Sequence, residues 1–243
     1  ESIERSAQAV ARFYARAKSE GTSCVYAFAT AAVRSASNGG LFVKRVFELC
    51  GLNVEVISGE TEAEIALLGA LGKSDGGIID LGGASTEITV RQSGKRIFSK
   101  SVDIGAVRLY DVAGRNRDKL EKFISEKISE YGPITSENYN MYGVSGTATT
   151  LAALKCGLKE YVGNVVQGTQ LTVSETEQYA EYLLNLSVEE ICGLLTVDTR
   201  RADIIGGGAL LLARIMQKIK IKSITVSDRD NLEGFAILKE GTL

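Results

Sequence analysis

Apolar and polar positions alternate along the chain with two different periods, which predicts helices and strands in turn. Over residues 2–19, apolar side chains recur every three or four positions, which is the spacing of a helix with one buried face. The apolar runs "SCVYAFAT" (23–30) and "NVEVI" (53–57) predict buried strands. A helix-like segment follows each strand, one stopping at Gly51 and the next at Gly72. Alternating elements of this kind predict an α/β fold.

The stretch "GGIIDLGGASTEITV", residues 76–90, interrupts this alternation with a turn between two strands. An apolar strand ends at Asp80, two glycines form a turn, and a second strand follows. "SGK" then predicts a hairpin into "RIFSKSVDI". Downstream, the pattern predicts a polar helix over roughly 115–131, a strand in "NYNMYGVSG", a short helix in "TATTLAALKCG", two helices over 174–195, a long helix in "RADIIGGGALLLARIMQKI", a strand in "SITVS" and a helix over 230–239.

The first elements have an unusual order for an α/β chain, because a helix precedes the first strand. Only two strands, 23–30 and 53–57, belong to this first part. A sheet of two strands is too small to support the helices around it. Either strands from elsewhere join it, or the first strands of this lobe lie outside the sequence.

Charge and composition narrow the classes of partner. The chain has 243 residues, a formal net charge of −2 and a hydrophobic content of 44%. This balance argues against bulk electrostatic binding of nucleic acid or of an anionic membrane. The N-terminal stretch is a charged amphipathic helix rather than a signal peptide, and no apolar run has the length of a membrane span. Four scattered cysteines without a CxxC pair favour a cytoplasmic chain with reduced thiols.

The sequence contains no histidine. This excludes, within the chain, a Ser-His-Asp triad, an imidazole general base and a zinc site built on histidine. Any chemistry must therefore use carboxylates, hydroxyls, backbone amides, arginine or lysine, and a hard metal ion held by oxygen ligands.

Two turns have the composition of phosphate-binding sites. In "DLGGASTE", residues 80–87, a strand ends in an aspartate and turns through glycines, which can expose backbone N–H groups to an anion. In "SGTATT", residues 145–150, glycine and hydroxyl residues open a helix, whose free N–H groups suit a phosphate. The alternatives are an ordinary hairpin turn and an ordinary helix cap. Two such turns some 65 residues apart nevertheless match a cleft that holds phosphate from two sides.

Three further features have both a functional and a structural interpretation. Glu62, in "ISGETEAE", is a candidate general base at a strand-to-helix corner, or one of several carboxylates that stabilise a helix start. Arg34 is a candidate for bidentate phosphate binding, or a solvated surface residue. Gly206–Gly208 would let a nucleotide approach the backbone, or let two helices pack closely.

In this order, the segments resemble the exopolyphosphatase / guanosine pentaphosphate phosphohydrolase (Ppx/GppA) family of the actin–hexokinase–heat-shock-protein ATPase-like superfamily. The resemblance spans residues 27 to about 235 and rests on "ATAAVRSASN", "VISGETEAE", "IIDLGGASTEI", "SVDIGAVRL", "GVSGTATTLAAL", "RADIIGGGALLL" and "VSDRDNLEGF". It implies two ribonuclease-H-like lobes around a cleft. It also implies an enzyme that uses Mg²⁺ to remove a terminal phosphate from inorganic polyphosphate, or the 5′ γ-phosphate from guanosine pentaphosphate. Members of the family often form homodimers, so the resemblance also implies a possible homodimer.

The resemblance assigns a role to each candidate residue. Glu62 corresponds to the general base that activates the attacking water, and Asp80 and Glu87 correspond to acidic residues at the metal. The positions that correspond to phosphate-binding residues are Arg34, Gly82, Gly83, Ser85, Gly146 and Thr147. The implied domains are residues 1–60 with about 230–243 for the remainder of domain I, and residues 61–229 for domain II.

Several departures from the family pattern qualify these expectations. The family's first phosphate loop, an Asp-x-Gly-Ser turn near the N-terminus, is not in the sequence, so we expect an incomplete first lobe and an impaired chain. Glu64 stands where the family commonly has arginine, and Ala84 stands where the usual turn has glycine. The loss of this arginine at position 64 favours an alternative function, a nucleotide or alarmone sensor that binds but hydrolyses little. A kinase of the same superfamily is a third hypothesis, against which the "SGETEAE" and "ASTE" segments speak.

Overall fold

A computed structural model describes residues 1–134, 136, 138–195 and 198–241. The chain divides into two compact units, Glu1–Glu64 and Ile65–Leu243. Its mixture of strands and helices confirms the predicted α/β class.

The first unit contains three helices and a small parallel sheet. The elements are α1 (Ser2–Ser19), β1 (Ala27–Ala29), α2 (Ala31–Arg34), α3 (Gly39–Cys50) and β2 (Val54–Val56). β1 and β2 pair in parallel, with Ala27 opposite Val54. Their core is formed by Ala7, Ala29, Val46, Leu52 and Val54. The next helix, α4 (Gly59–Leu71), begins in this unit and continues into the second.

The second unit contains the larger sheet and most of the helices. Its elements are β3 (Gly76–Leu81), β4 (Thr86–Gln92), β5 (Lys95–Val102), α5 (Ala106–Ala113), α6 (Arg117–Ile128), β6 (Met141–Val144), α7 (Ser145–Lys155), α8 (Gly163–Val166), β7 (Gln170–Thr172), α9 (Val173–Asn185), α10 (Val188–Leu194), α11 (Ile205–Lys218), β8 (Ser223–Val226) and α12 (Asn231–Glu240), with short 3₁₀ helices at Ser129–Tyr131 and Thr199–Arg201.

The six strands are arranged in the order β5-β4-β3-β6-β8-β7. The central pairs β3–β6 and β6–β8 are parallel, and the outer pairs are antiparallel. Asp80 lies opposite Val144 in the β3–β6 pair and opposite Glu87 in the β3–β4 pair. Because β3 and β6 are parallel neighbours, their carboxyl ends meet at one edge of the sheet. The two predicted phosphate turns, which follow these strands, therefore start side by side.

Helices cover both faces of this sheet. Ile79 and Ile88 belong to the main core, which also contains apolar side chains of α5, α6, α9 and α11. On the other face, Ile78 packs with Leu67 of α4. Gly206–Gly208 lie in the buried α11, where side chains of α5, α7 and α9 come close to their backbone. Of the two interpretations of this triplet, close helix packing is the one confirmed.

Most elements were predicted with the right type. The long helices and the strands of the hairpin are confirmed, and α3 and α4 end just before Gly51 and Gly72 as expected. The sequence analysis did not predict α2, α5, α8 or β7. It also placed the start of the helix observed over Arg117–Ile128 two residues too early. The assignment of residues 230–243 to domain I stays a prediction. In the structure, Gly69 of α4 lies very close to the start of α12, because a Cβ on Gly69 would be 1.9 Å from the carbonyl oxygen of Asp230.

Candidate functional site

A pocket of about 560 Å³ lies in the second unit, at the edge of the sheet where β3 and β6 end. Its volume falls within the range of small-molecule sites, roughly 300–1,000 Å³. The lining residues come from the turn after β3, from the starts of α5 and α7, and from segments around 200 and 230. They are Leu81, Gly82, Gly83, Ala106, Val107, Ser145, Gly146, Thr147, Asp198, Arg200, Arg201, Ile204 and Asp230.

The turn after β3 has backbone N–H groups available for a ligand. The N–H of Gly82 donates to the carbonyl oxygen of Ser85 at 3.0 Å, which closes the turn. In the part of the chain that the structure describes, the N–H groups of Gly83, Ala84 and Ser85 have no hydrogen-bond partner. Consecutive unpaired N–H groups in a turn form an anion-binding concavity.

The same turn is fixed by the start of α5. The carbonyl oxygen of Gly82 accepts from the N–H of Ala106 at 3.0 Å, and that of Gly83 accepts from Val107 at 2.9 Å. A Cβ on Gly105 would lie 2.5 Å from the backbone of Gly83, so this close approach requires glycine. The "SVDIGAVRL" segment thus supports the phosphate turn, and its residues Ala106 and Val107 also line the pocket.

α7 begins at the pocket without a side-chain cap. Val144 is its N-cap residue and makes no side-chain capping hydrogen bond. The first N–H groups of a helix have no partner within it, and the helix dipole makes this end positive. Gly146 and Thr147 lie in the first turn and line the pocket. The helix start and the β3 turn therefore give the pocket two sets of backbone donors.

A hydrogen bond joins the two turns directly. The Ser145 hydroxyl donates to Oδ1 of Asp80 at the end of β3. This contact fits the sheet register, since Asp80 lies opposite Val144, the residue before Ser145.

Two arginines provide positive charge at the pocket. Arg200 and Arg201 both form ion pairs with Asp198, at 2.7 Å and 3.4 Å respectively. The hydrogen bond from the Arg200 guanidinium holds the pKa of the Asp198 carboxyl below the ordinary value of an aspartate. A Cβ on Gly146 would lie 1.8 Å from Nη1 of Arg201, so this guanidinium lies against the start of α7.

Further acidic and phenolic groups lie near these arginines. Asp230 lines the pocket and caps α12 by accepting from the N–H of Leu232 at 3.0 Å, and burial raises the pKa of its carboxyl. The Tyr161 hydroxyl donates to Asp228. Burial and this hydrogen bond to Asp228 raise the pKa of Tyr161, whereas the nearby Arg201 opposes the rise.

The predicted metal ligands are neighbours on one face of the sheet. Asp80 and Glu87 are directly opposite in the antiparallel β3–β4 pair, so their side chains project from the same face. Oε1 of Glu87 accepts from the Ser101 hydroxyl at 2.5 Å. Among the described residues, no group of three acidic, histidine or cysteine side chains is placed to hold a metal ion. Two carboxylates fit Mg²⁺, which is commonly bound by one or two carboxylates together with waters and substrate phosphates.

Arg34 and Glu62, the two predicted site residues of the first unit, contact each other. Nη1 of Arg34 donates to Oε2 of Glu62 at 3.1 Å and to the carbonyl oxygen of Ile57 at 2.8 Å. Both side chains are about one-third exposed. The pair thus holds the carboxylate of Glu62 at the start of α4.

Comparison with known proteins agrees with this architecture. The profile of the Ppx/GppA phosphatase family matches residues 1–241. The chain belongs to the Ppx/GppA phosphatase family. A solved structure of the Aquifex aeolicus Ppx/GppA family member has the same fold, with a TM-score of 0.84 and 27% sequence identity over 99% of this chain and 83% of that one. The predicted relationship and the predicted actin-like ATPase fold are thereby confirmed.

Two curated relatives of this Ppx/GppA chain differ in length. The bifunctional 3-dehydroquinate synthase/phosphatase of Fusobacterium nucleatum is 31% identical in an alignment of 232 positions that covers 88% of this chain and 34% of that protein. Exopolyphosphatase 2 of Mycobacterium tuberculosis is 28% identical in an alignment of 242 positions that covers 88% of this chain and 74% of that protein. The chain thus spans about a third of the first relative and three quarters of the second.

The structure places the sequence-predicted site residues of this Ppx/GppA chain in three groups. Four of them line the pocket: Gly82, Gly83, Gly146 and Thr147. Asp80, Ser85 and Glu87 lie next to the pocket lining, on the same turn and strands. Arg34 and Glu62 lie together in the first unit.

Sequence reasoning missed the acidic–basic cluster around Asp198. Asp198, Arg200 and Arg201 all line the pocket, yet they lie about fifty residues after the second phosphate turn. The available signal was the pair of adjacent arginines in "VDTRRAD", just before the glycine-rich helix.

In the part of the chain that the structure describes, no helix combines the length and the apolarity that crossing a bilayer requires.

Proposed function

We propose that the chain is a phosphohydrolase that cleaves the terminal phosphoanhydride bond of inorganic polyphosphate, of guanosine pentaphosphate, or of both. The observation that carries this proposal is the pocket at the edge of the sheet. Two sets of backbone N–H groups and two arginines surround it. Such donors stabilise the negative charge of a phosphate chain and of its transition state.

The proposed roles follow from the chemistry of each group. The N–H groups of the β3 turn and of the α7 start would bind phosphate oxygens, and Arg201 would neutralise charge on the chain of phosphates. Asp80 and Glu87 would hold Mg²⁺, which supplies charge neutralisation at the phosphates. Arg34, which pairs with Glu62, is proposed as a further phosphate contact.

Glu62 is the proposed general base. The chain lacks histidine, so a carboxylate is the candidate group for accepting a proton from the attacking water. Support comes from family membership and from the matching "SGETEAE" segment. The ion pair with Arg34 would hold the carboxylate in one orientation.

One assay tests the proposed reaction. The full-length protein is incubated with polyphosphate, with guanosine pentaphosphate, and with ATP plus phosphoryl acceptors, each in Mg²⁺ or in EDTA, and free phosphate is measured. We expect Mg²⁺-dependent release from one or both phosphate polymers. If neither polymer releases phosphate while guanosine pentaphosphate still binds, the sensor function replaces the hydrolase. Phosphate transfer from ATP to an acceptor would identify a kinase instead.

Glu62→Gln tests the proposed base. The change keeps the size of the side chain and removes its ability to accept a proton, so kcat should fall by about 10²–10⁴-fold with substrate binding largely intact. Glu60→Gln is the matched control, because Glu60 also lies in the first turn of α4, where a carboxylate interacts favourably with the helix dipole. A Glu62→Gln enzyme with the turnover of the wild type would contradict the assignment.

A further inference from the structure

Ser145 has a backbone conformation for which the fold alone would favour glycine. It is the first residue of α7, and its φ is +69°. A side chain with a Cβ atom is disfavoured in this left-handed region. Residues that persist in such conformations concentrate at functional sites. The backbone conformation of Ser145 therefore calls for an explanation beyond the connection of β6 to α7.

The side chain of Ser145 supplies that explanation. Its hydroxyl donates to Oδ1 of Asp80, 65 positions away in the sequence. Asp80 lies in β3 and Ser145 directly follows β6, and these two strands are parallel neighbours with Asp80 opposite Val144. Ser145 directly follows Val144, so its left-handed conformation sets the direction in which the hydroxyl leaves the end of β6. Glycine would allow the same chain path but has no hydroxyl to donate.

We propose that Ser145 is a positioning residue for Asp80. Its hydroxyl fixes the orientation of the Asp80 carboxylate and couples the turn after β3 to the start of α7. The two proposed phosphate-binding turns are thereby held in register. The proposal rests on the proposed function, in which Asp80 is a metal ligand. Partners that orient a metal ligand commonly affect metal affinity or activity by about 10- to 100-fold.

Ser145→Gly separates this role from a purely structural one. Glycine accepts positive φ without strain, so the melting temperature should stay unchanged or rise. We nevertheless expect kcat to fall by about 10- to 100-fold and the Mg²⁺ concentration for half-maximal activity to rise by a similar factor. KM for the phosphate polymer should change less, because the backbone donors remain. A purely structural serine would show the gain in stability without the loss.

Ser93→Gly is the matched control. Ser93 also has a positive φ, +52°, and lies in the turn between β4 and β5. Its backbone N–H donates to Asp75 at 2.7 Å, a bond that glycine keeps. The control should therefore relieve the same kind of strain while leaving kcat and the Mg²⁺ dependence at wild-type values.

A binding measurement distinguishes failure of this proposal from failure of the proposed function. The Mg²⁺-induced rise in melting temperature is measured with methylenediphosphonate present, for the wild type, Ser145→Gly, Asp80→Asn and the double variant. We expect Ser145→Gly to weaken the Mg²⁺ response, and to add nothing further in the Asp80→Asn background. An equal Mg²⁺ response in the wild type and Ser145→Gly overturns the proposal, as does the absence of any response in the wild type. Loss of phosphate release alone, with the expected binding differences retained, overturns only the hydrolase function.

Discussion

The Arg201 guanidinium lies against Gly146 at the start of α7. A Cβ at position 146 would lie 1.8 Å from Nη1 and 2.3 Å from Cζ of Arg201. The guanidinium is the far end of a flexible side chain, so it can move away at little cost. Glycine at position 146 therefore lets Arg201 reach the pocket wall, and this can be tested without damage to the fold.

Gly146→Ala should weaken phosphate binding without destabilising the chain. The new methyl group displaces the Arg201 guanidinium, and a charge-assisted hydrogen bond to phosphate is worth about 1.5–3 kcal/mol. KM for the phosphate polymer should rise by about 10- to 100-fold. The melting temperature should hold or rise, since alanine favours a helix over glycine by up to about 1 kcal/mol. Steady-state kinetics and thermal unfolding give both quantities.

Three further variants complete this experiment. Arg201→Ala should raise KM to the same extent, and combining it with Gly146→Ala should add little, because both remove one interaction. Gly193→Ala is the control: this glycine lies in α10 with nothing within 4 Å of an added Cβ. A Gly146→Ala enzyme with normal KM would show that Arg201 does not contact substrate.

Single residues also show which part of the site can be predicted from the sequence. Asp80 and the two glycines after it were predictable because they stand at the end of an apolar run, where turn chemistry is local. Arg201 was not, because its position beside Gly146 depends on the folding of a segment 55 residues further along the chain. Ser145 is intermediate: the turn was recognisable, but its φ of +69° and its bond to Asp80 are tertiary properties.

At the scale of elements, one arginine holds the end of α9. Nη2 of Arg115 donates to the carbonyl oxygens of Leu183 at 2.6 Å, Leu184 at 3.3 Å and Leu186 at 2.5 Å. The last carbonyl groups of a helix have no partner within it, and a cation there also interacts favourably with the helix dipole. Arg115, just before α6, therefore ties the α5–α6 connection to the C-terminal end of α9.

Arg115→Ala should destabilise the second unit. Three carbonyl oxygens lose a charged donor in a half-buried setting, which should lower the free energy of unfolding by about 1.5–3 kcal/mol. Urea unfolding followed by far-UV circular dichroism measures this, since the chain contains no tryptophan for a fluorescence probe.

Arg117→Ala provides the comparison for this measurement. Arg117 is close in sequence but forms ion pairs with Glu121 and Glu181, and its side chain is 38% exposed. Exposed pairs of this kind contribute about 0–1 kcal/mol. Equal losses in the two variants would contradict the role given to Arg115 at the end of α9.

Elements also differ in how far the sequence predicts them. α3 and α4 were predictable because periodic apolar positions run up to a glycine that ends the helix. α5 was missed, and its eight residues begin after Gly105 without a side-chain cap. Its first N–H groups bond instead to carbonyl oxygens of the turn after β3, more than twenty residues earlier. A helix whose start is capped by a distant turn leaves little local signal.

At the scale of the whole molecule, the absence of histidine makes acidic groups dominate the pH dependence of stability. One ion network in the second unit joins three helices. Arg214 of α11 binds both oxygens of Glu121 of α6, at 2.9 Å and 2.7 Å, and Oε1 of Glu177 of α9 at 2.6 Å. The Arg214 guanidinium holds the pKa of the Glu121 carboxyl below its ordinary value of 4.5.

This pKa shift predicts a loss of stability in acid. A carboxyl whose pKa is lower in the folded state contributes stability that is complete above the unfolded pKa of about 4.5 and disappears as pH falls through the folded pKa. Because the network is partly exposed, Glu121 should account for about 0.5–1 kcal/mol of the difference between pH 7 and pH 3. Glu121→Gln should therefore lower stability at pH 7 and flatten the decline toward pH 3. Urea unfolding at a series of pH values measures both effects, with Glu126→Gln on the exposed side of α6 as the control. A Glu121→Gln curve parallel to that of the wild type would show that the Arg214 network does not contribute to the acid sensitivity of the molecule.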